Sequence, residues 1–404
     1  MDHRNAGLSR RRVLIATGAS IGLAALTRPA PTGRITRNVS SYAAGVEGCC
    51  ARAEMAEQAV VQRHVRTVWG RPWARLGRLV WPAAVVDQSF VRWCYWWQAQ
   101  LLDCAVDAAQ RGRDPERIGR VSALARGIRT RNLTGWTNRY YDDMGWLAIA
   151  LERADRLLGV RFGNAVGDLK STLFDGWNPV VGAVPWRMGD DYYNAVAIGP
   201  TGIAMARLGE LSRARQLAEF LHTRLRDPAT GLILDGVHEP GGQVNPTVLT
   251  YCQGVAIGLE TELAMRTGDV DHRNRATDLV AATATGLTRA GVIAAAGGND
   301  SGLFMGILAR YLAETALALG NTTAARIVHE SARAAWDNRA EVQGLPLFGM
   351  DWSRPVTVPG TPEAVAQLFP SAASPSENLS PDLSVQLSGW MLLEADYRLT
   401  AAGL

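Results

Sequence analysis

From Ala51 onward apolar residues recur at spacings of three and four, and β-branched alternating runs are few, a pattern that predicts one helix after another. Twelve helical segments are expected, at approximately 51–69, 93–110, 115–132, 143–158, 164–175, 193–208, 211–226, 250–267, 272–290, 302–319, 322–339 and 383–399. Punctuation supports several edges. Asp114-Pro115 reads as an N-cap with Pro at the first helical position, and Gly320-Asn321-Thr322 closes one helix and caps the next. The Pro- and Ser-rich stretch from Ser353 to Pro381 reads as one long loop before the last helix, a rim over a cleft.

Twelve helices fit either an open solenoid or six hairpins closed into a ring, and a second pattern separates the two. Aromatic and polar residues cluster at Arg92–Gln98, Tyr140–Trp146, Trp186–Asn194, Thr250–Gly254, Gly298–Gly306 and Asp382–Trp390, where the second, fourth, sixth, eighth, tenth and twelfth segments begin. If the even segments form an inner ring, all six clusters meet at one mouth. Small residues near those starts (Gly145, Gly199, Gly202, Gly254, Gly258, Gly306 and Gly389) suit the crowding of an inner ring, since each costs a helix about 1 kcal/mol against Ala and so needs a packing reason. No fixed unit repeats along the chain, which removes the main support for a solenoid. The expected fold is all-α, an (α/α)6 barrel occupying residues 45–404 as a single domain.

Composition changes this picture little. Of 404 residues 47% are hydrophobic and 20% charged, as in a globular protein, and 13 are Trp, more than either Tyr or Phe; an indole face stacks well on a pyranose, although buried Trp is the ordinary use. The net charge of +4 is owed to the first 44 residues, whose seven Arg and one Asp leave 35 basic and 37 acidic residues in the rest. That balance excludes a basic nucleic-acid footprint. Lys170 is the only lysine. Within residues 1–44, Ser9-Arg10-Arg11-Arg12-Val13-Leu14 opens an apolar run to Leu26 that resembles a twin-arginine export signal. The run is too short for a stable membrane span, so export is expected, with a cytoplasmic protein bearing a mis-assigned start as the alternative. Five scattered cysteines suggest neither a disulfide framework nor a metal site.

The chemistry concentrates at Asp142-Asp143, inside Asn138-Arg139-Tyr140-Tyr141-Asp142-Asp143-Met144-Gly145-Trp146. Retaining glycosidases need two carboxyl groups about 5–5.5 Å apart, and neighbouring Cα atoms about 3.8 Å apart reach that with slightly splayed side chains. Inverting enzymes, at roughly 6.5–9.5 Å, would need nearly opposed side chains. Adjacent acids also suit a helix start as N-cap and first-turn residues, and for the pair taken alone that is the commoner reading. Asp190-Asp191 is a rival pair.

Six ordered segments bring further information: YWWQAQLLDC, YYDDMGWLAIAL, the Trp186–Asn194 segment, TYCQGVAIG, NDSGLFMGILARYL and DLSVQLSGWMLLEA. In order and spacing they resemble glycoside hydrolase family 76, the endo-α-1,6-mannanase family, over roughly residues 51–400. The resemblance implies an (α/α)6 barrel, retaining hydrolysis of α-1,6-linked mannan, no cofactor and no metal. It makes Asp142 the nucleophile and Asp143 the general acid and base. Substrate contacts are expected from Trp96, Trp97, Gln98, Tyr141, Trp186, Asp191, Tyr193, Asn194, Tyr251 and Gln253. Two positions depart from the family pattern: Cys252 stands where a TYNQG pattern has Asn, and Met305 where LFKGI has Lys. Asn299-Asp300 is expected to cap the tenth segment.

The expected function is cleavage of α-1,6-mannosidic bonds in a polysaccharide or glycolipid, such as bacterial envelope mannan, by a monomer with no nucleic-acid partner and no stable membrane span. Transglycosylation and non-catalytic mannan binding are the alternatives. An epimerase would call for His or another proton-transfer base, and none of the six histidines lies in an alternate-helix cluster.

Overall fold

Each of the predicted segments is a helix in the computed structural model, which describes residues 33–83, 85–295, 301–358 and 382–404. The leader motif, the Asn299-Asp300 cap and all of the predicted 353–381 loop beyond residue 358 lie outside the described residues. The chain divides into Met1–Ser41 and Tyr42–Leu404, and the second unit holds the helical barrel.

The helices in chain order are α1 (Gly33–Arg63), a single turn α2 (Val85–Gln88), α3 (Tyr95–Arg111), α4 (Pro115–Arg131), α5 (Tyr141–Leu158), α6 (Ala165–Asp175), α7 (Ala195–Arg207), α8 (Leu211–Phe220), α9 (Thr250–Thr267), α10 (Val270–Gly286), α11 (Phe304–Leu319), α12 (Thr322–Asp337) and α13 (Leu383–Ala401). A π-helical turn, Leu221–Leu225, continues α8. Helix α3 packs on α5, α5 on α7, α7 on α9, α9 on α11, α11 on α13, and α13 back on α3. This closed ring is the inner wall of an (α/α)6 barrel. Helices α4, α6, α8 and α10 each cover the inner helix that precedes them, and α12 lies over α11 and α13. The inner helices are buried nearly all round, and α11 with its lead-in turn, Ser301–Leu319, is long and apolar enough to cross a membrane. Its place in the ring accounts for that character.

Glycine sets how closely the ring closes. A Cβ on Gly145 of α5 would meet Pro200, one on Gly254 of α9 the backbone of Leu308, and one on Gly306 of α11 the Cα of Ser388 at 2.7 Å.

Farther down, the inner helices meet through buried charge. Asp103 and Asp107, one turn apart on α3, are each bonded by both Arg153 of α5 and Arg310 of α11. Arg207 of α7 donates to Glu262 of α9 at 2.6 Å and Glu314 of α11 at 3.1 Å. Arg111 of α3 reaches Glu394 of α13 at 3.1 Å and Glu57 of α1 at 2.6 Å. Burial pushes Glu394 up to about 7, against the pull of Arg111.

The helical period does not extend to the strands. Strands β1 (Val65–Val68) and β2 (Arg71–Gly77) form an antiparallel hairpin, so α1 stops at Arg63 and does not run on to 69. The chain reverses at Trp69 and Gly70, with φ of 47° and 71°, and Val65, Val68, Ala74 and Leu76 are the buried side chains of the hairpin. A three-stranded antiparallel sheet joins β3 (Tyr192–Asn194), β4 (Leu234–His238) and β5 (Gln243–Val248). Two further short hairpins are β6 (Thr288–Arg289) with β7 (Val292–Ile293), and β8 (Ala340–Val342) with β9 (Leu345–Leu347).

Two predictions test this packing. Gly306→Val forces atoms into the Ser388 backbone and should destabilise the barrel by about 1–3 kcal/mol in urea unfolding. His64 is fully buried, bonds the Arg78 carbonyl through Nδ1 at 2.9 Å, and is depressed by burial to about 4. Below pH 6.5 the unfolded chain takes up a proton that the folded one refuses, so stability contributed above pH 6.5 is lost as pH falls towards 4. The loss should reach about 3 kcal/mol. His64→Leu should flatten that part of the stability-pH curve relative to wild type; an unchanged slope would show that other groups set it.

Candidate active site

Asp142 and Asp143 occupy the first turn of α5, where backbone N–H groups have no carbonyl four residues back to bond. One of these, the Asp143 amide, donates to Asp142 Oδ1 at 2.9 Å. Trp186 Nε1 donates to Asp142 Oδ2 at 3.1 Å. Asn138 Nδ2 donates to Asp143 Oδ2 at 2.6 Å, while Asn138 Oδ1 accepts from the Tyr140 amide at 2.8 Å and so fixes the approach to the helix. Trp186 is held by main-chain bonds: its carbonyl accepts from Tyr141 N at 3.0 Å, its amide donates to Tyr192 O at 2.7 Å, and Met188 N donates to Arg139 O at 2.8 Å. Its ring meets Tyr140 edge-on at 5.3 Å. The two clusters seen in the sequence thus pair along their backbones.

A cavity of about 260 Å³ opens over Asp142. Five inner helices supply part of its lining: Trp96 from α3, Asp142 and Trp146 from α5, Val196 from α7, Tyr251 from α9 and Phe304 from α11. Tyr251 and Phe304 stack in parallel with centroids 3.7 Å apart, and Trp96 stands 6.4 Å from Phe304. Asn194 also lines the cavity while capping α7, accepting from Ala197 N at 3.2 Å.

The remaining wall holds a carboxylate that no sequence motif marks. Asp235 on β4 accepts from Tyr192 Oη at 2.5 Å, Asn245 Nδ2 at 2.9 Å and Cys252 Sγ at 3.8 Å. Burial raises it above the ordinary carboxylate range, and these three bonds pull it back. Burial and the Asp235 charge in turn raise Tyr192. Gly236 makes the cluster possible, because a Cβ there would strike the Tyr192 ring. No helical period reaches 234–248, and the only signal was an acid between Leu234 and Val237 in an otherwise apolar run.

Several expected contacts prove to be framework. Gln98 brackets a strand residue, accepting from Gly77 N at 2.8 Å and donating to Gly77 O at 2.9 Å. Gln253 does the same to Ile233, at 2.8 and 2.7 Å, and also donates to Leu249 O at 3.1 Å. Both are the fourth residue of an inner helix, as is Gln386, which brackets Phe348. Trp97 is buried behind Trp96, and Tyr141 is buried against Gly176. Tyr193 is 3% exposed and its hydroxyl accepts from Asn178. Asp191 lies on the surface, its side chain 66% exposed, bonded to His238 at 2.9 Å, which holds it below the usual range. The rival acid Asp190 caps Asp191 and Tyr192 and pairs with Arg187 at 3.0 Å. Of the expected set, Trp96, Asp142, Trp186, Asn194 and Tyr251 line the cavity, with Asp143 beside Asp142. Met305 is 3% exposed on α11. Among the described residues, no three His, Cys, Asp or Glu side chains are grouped to hold a metal ion.

Residues 52–377 match the model of glycosyl hydrolase family 76. The chain belongs to that family. It is therefore a glycoside hydrolase. Among solved structures it resembles the α-1,6-mannanase GH76A of Salegentibacter sp. HEL1_6, with 25% identity and a TM-score of 0.72 over 86% of this chain and 98% of that one. An inactive variant of that enzyme, with asparagine at two consecutive aspartate positions, is in complex with α-1,6-mannotriose. A Listeria innocua protein shares the fold at 24% identity and a TM-score of 0.74, over 88% of this chain and 98% of that one. So does Dfg5 from Chaetomium thermophilum, in complex with glucosamine, at 14% and 0.69 over 87% and 90%. No curated protein matches the chain in sequence.

The glutamine brackets give the family site a test. Gln253→Leu leaves the Ile233 amide and carbonyl without their partner and should cost roughly 2–4 kcal/mol in chemical denaturation. The effect on turnover should enter as a loss of folded protein, with KM close to wild type. A raised KM at full stability would return Gln253 to the substrate site.

Proposed function

We propose that the enzyme cleaves α-1,6-linked mannan with retention of anomeric configuration. The observation that carries this reading is the Asp142 carboxylate, which lines the cavity and accepts from the Asp143 amide and the Trp186 indole at the start of a helix. N–H donors and a helix N-terminus both favour the ionised form a nucleophile needs. Asp143, one residue on, is the proton donor, oriented by Asn138. Support for the substrate comes from the Salegentibacter enzyme, whose paired aspartates were replaced in an inactive variant that is in complex with α-1,6-mannotriose.

In the first step an Asp142 oxygen bonds to the anomeric carbon as the glycosidic C–O bond breaks, and the Asp143 proton passes to the departing oxygen. In the second, water gives a proton to the Asp143 carboxylate and its oxygen bonds to the anomeric carbon. The ester to Asp142 breaks, and the carboxylate returns. Trp96, Trp186 and the Tyr251–Phe304 stack offer ring faces to the sugar, and Asp235 offers acceptors to its hydroxyls. Export through the twin-arginine-like leader belongs to the same proposal, since it would bring the enzyme to envelope mannan.

Incubation with α-1,6-mannooligosaccharides, followed by NMR, should give products whose first anomer is α. Asp142→Asn should lower turnover roughly 10⁴-fold. Asp143→Asn should lower it about 10²–10⁴-fold on oligosaccharides, and much less in the first step on an aryl α-mannoside whose leaving group needs no proton. Initial β-anomer would overturn retention. Longer products at high substrate would instead assign the enzyme to transglycosylation.

A further inference from the structure

Residues 64–100 and 121–136 contain eight arginines and one acid, Asp87, in a unit whose 35 basic and 37 acidic residues nearly balance as a whole. Asp87 is buried and held by Arg92 at 2.8 and 3.0 Å. Among the described residues no carboxylate pairs with Arg66, Arg71, Arg75, Arg126, Arg129 or Arg131.

The fold gathers these residues beside the mouth. Helix α4 packs on β2, and a Cβ on Gly127 would fall on the Arg75 carbonyl. Arg131, at the end of α4, donates to the Phe90 and Val91 carbonyls at 2.7 and 3.0 Å, and its guanidinium lies 5.8 Å from the Trp69 ring and 5.1 Å from Trp93. Trp69 Nε1 is pinned to Ser89 O at 2.8 Å. The same loop leads directly into α3 and the cavity residue Trp96. Around this frame Trp69 is 51% exposed, Trp73 55%, Val91 65% and Leu133 86%.

We propose that this face docks on an anionic phospholipid bilayer, with the tryptophans, Val91 and Leu133 entering the headgroup layer and the arginines meeting lipid phosphates. Tryptophan, aliphatic tips and arginine together are what a membrane interface selects. A soluble polyanion would use the arginines, but Val91 and Leu133 give it neither charge nor a stacking face. Docking turns the cavity mouth towards glycans carried on lipid, and it does not depend on the mannan reading.

The test is co-sedimentation of the full chain with vesicles of phosphatidylcholine alone or with about 30 mol% phosphatidylglycerol, scored for wild type and two variants. Because residues 1–44 bring seven arginines of their own, each variant keeps that segment. Arg75→Gln with Arg126→Gln and Arg129→Gln should lower partition to anionic vesicles about tenfold, and Trp73→Ser with Leu133→Asn at least about threefold. Both variants should keep wild-type circular dichroism and wild-type turnover of soluble mannooligosaccharides. Wild-type partition in both variants would overturn the proposal. So would loss in the arginine variant alone, accompanied by arginine-dependent binding of dextran sulfate, which would mark a soluble-polyanion site. Loss of hydrolysis in wild type, with lipid binding intact, would count against the mannan reading alone.

Discussion

The barrel is closed by four side chains: Asp103 and Asp107 from α3, gripped from two sides by Arg153 of α5 and Arg310 of α11. Helices α3 and α11 are not neighbours in the ring, so this quartet ties helices across the interior as well as around it. The four charges cancel, and every member is buried. Such a group contributes little net stability, because stripping water from four ions costs about what their attraction returns. Its effect is on uniqueness. Any slip of one inner helix along its neighbour leaves a buried charge without its partner, a penalty of about 3–5 kcal/mol. Arg207 and Arg111 extend the same constraint to α7, α9 and α13. The axial position of every inner helix is fixed from below, and with it the place of each N-terminal turn at the mouth.

From above, the connecting straps are fixed by side chains that imitate a strand. Gln98, Gln253 and Gln386 each offer a carbonyl and an amide to one residue of a strap, satisfying backbone groups that the strap's own pairing leaves open. The Gln253 bracket sits two residues before Asp235. The position of that carboxylate in the cavity wall is therefore set by a helix it does not belong to.

These devices explain what the sequence could disclose. Helix positions were legible because the 3.6-residue period is local, and the ring was legible because polar-aromatic clusters recur at alternate helix starts. The Asp142-Asp143 pair stood out for the same reason, with its Trp186 partner already visible in the next cluster. Gln98 and Gln253 misled because a glutamine beside aromatic residues looks alike whether it meets a sugar or a backbone. Asp235 was hidden in a strand too short to carry a period, and Trp97, Tyr141 and Tyr193 were indistinguishable from their cavity-lining neighbours until the helix faces were known. The quartet was unreadable, since Arg153 and Arg310 are separated from Asp103 by 50 and 207 residues.

Helix polarity unites the two ends. All six inner helices begin at the mouth, so their partial positive charges converge there, and their carbonyl ends converge at the opposite pole. Arginine fills the last turn of α3, α5, α7, α9 and α13, as Arg111, Arg156, Arg207, Arg266 and Arg398. Those cations complement the carbonyl ends and are themselves neutralised by Glu152, Glu262, Glu314 and Glu394. Asp142 and Asp235 line one cavity, with Asp143 beside Asp142, and the helix N-termini that converge there favour carboxylate charge. The cavity stands at the end of the barrel where helix dipoles favour carboxylates, and the ion pairs at the other end keep that geometry from shifting.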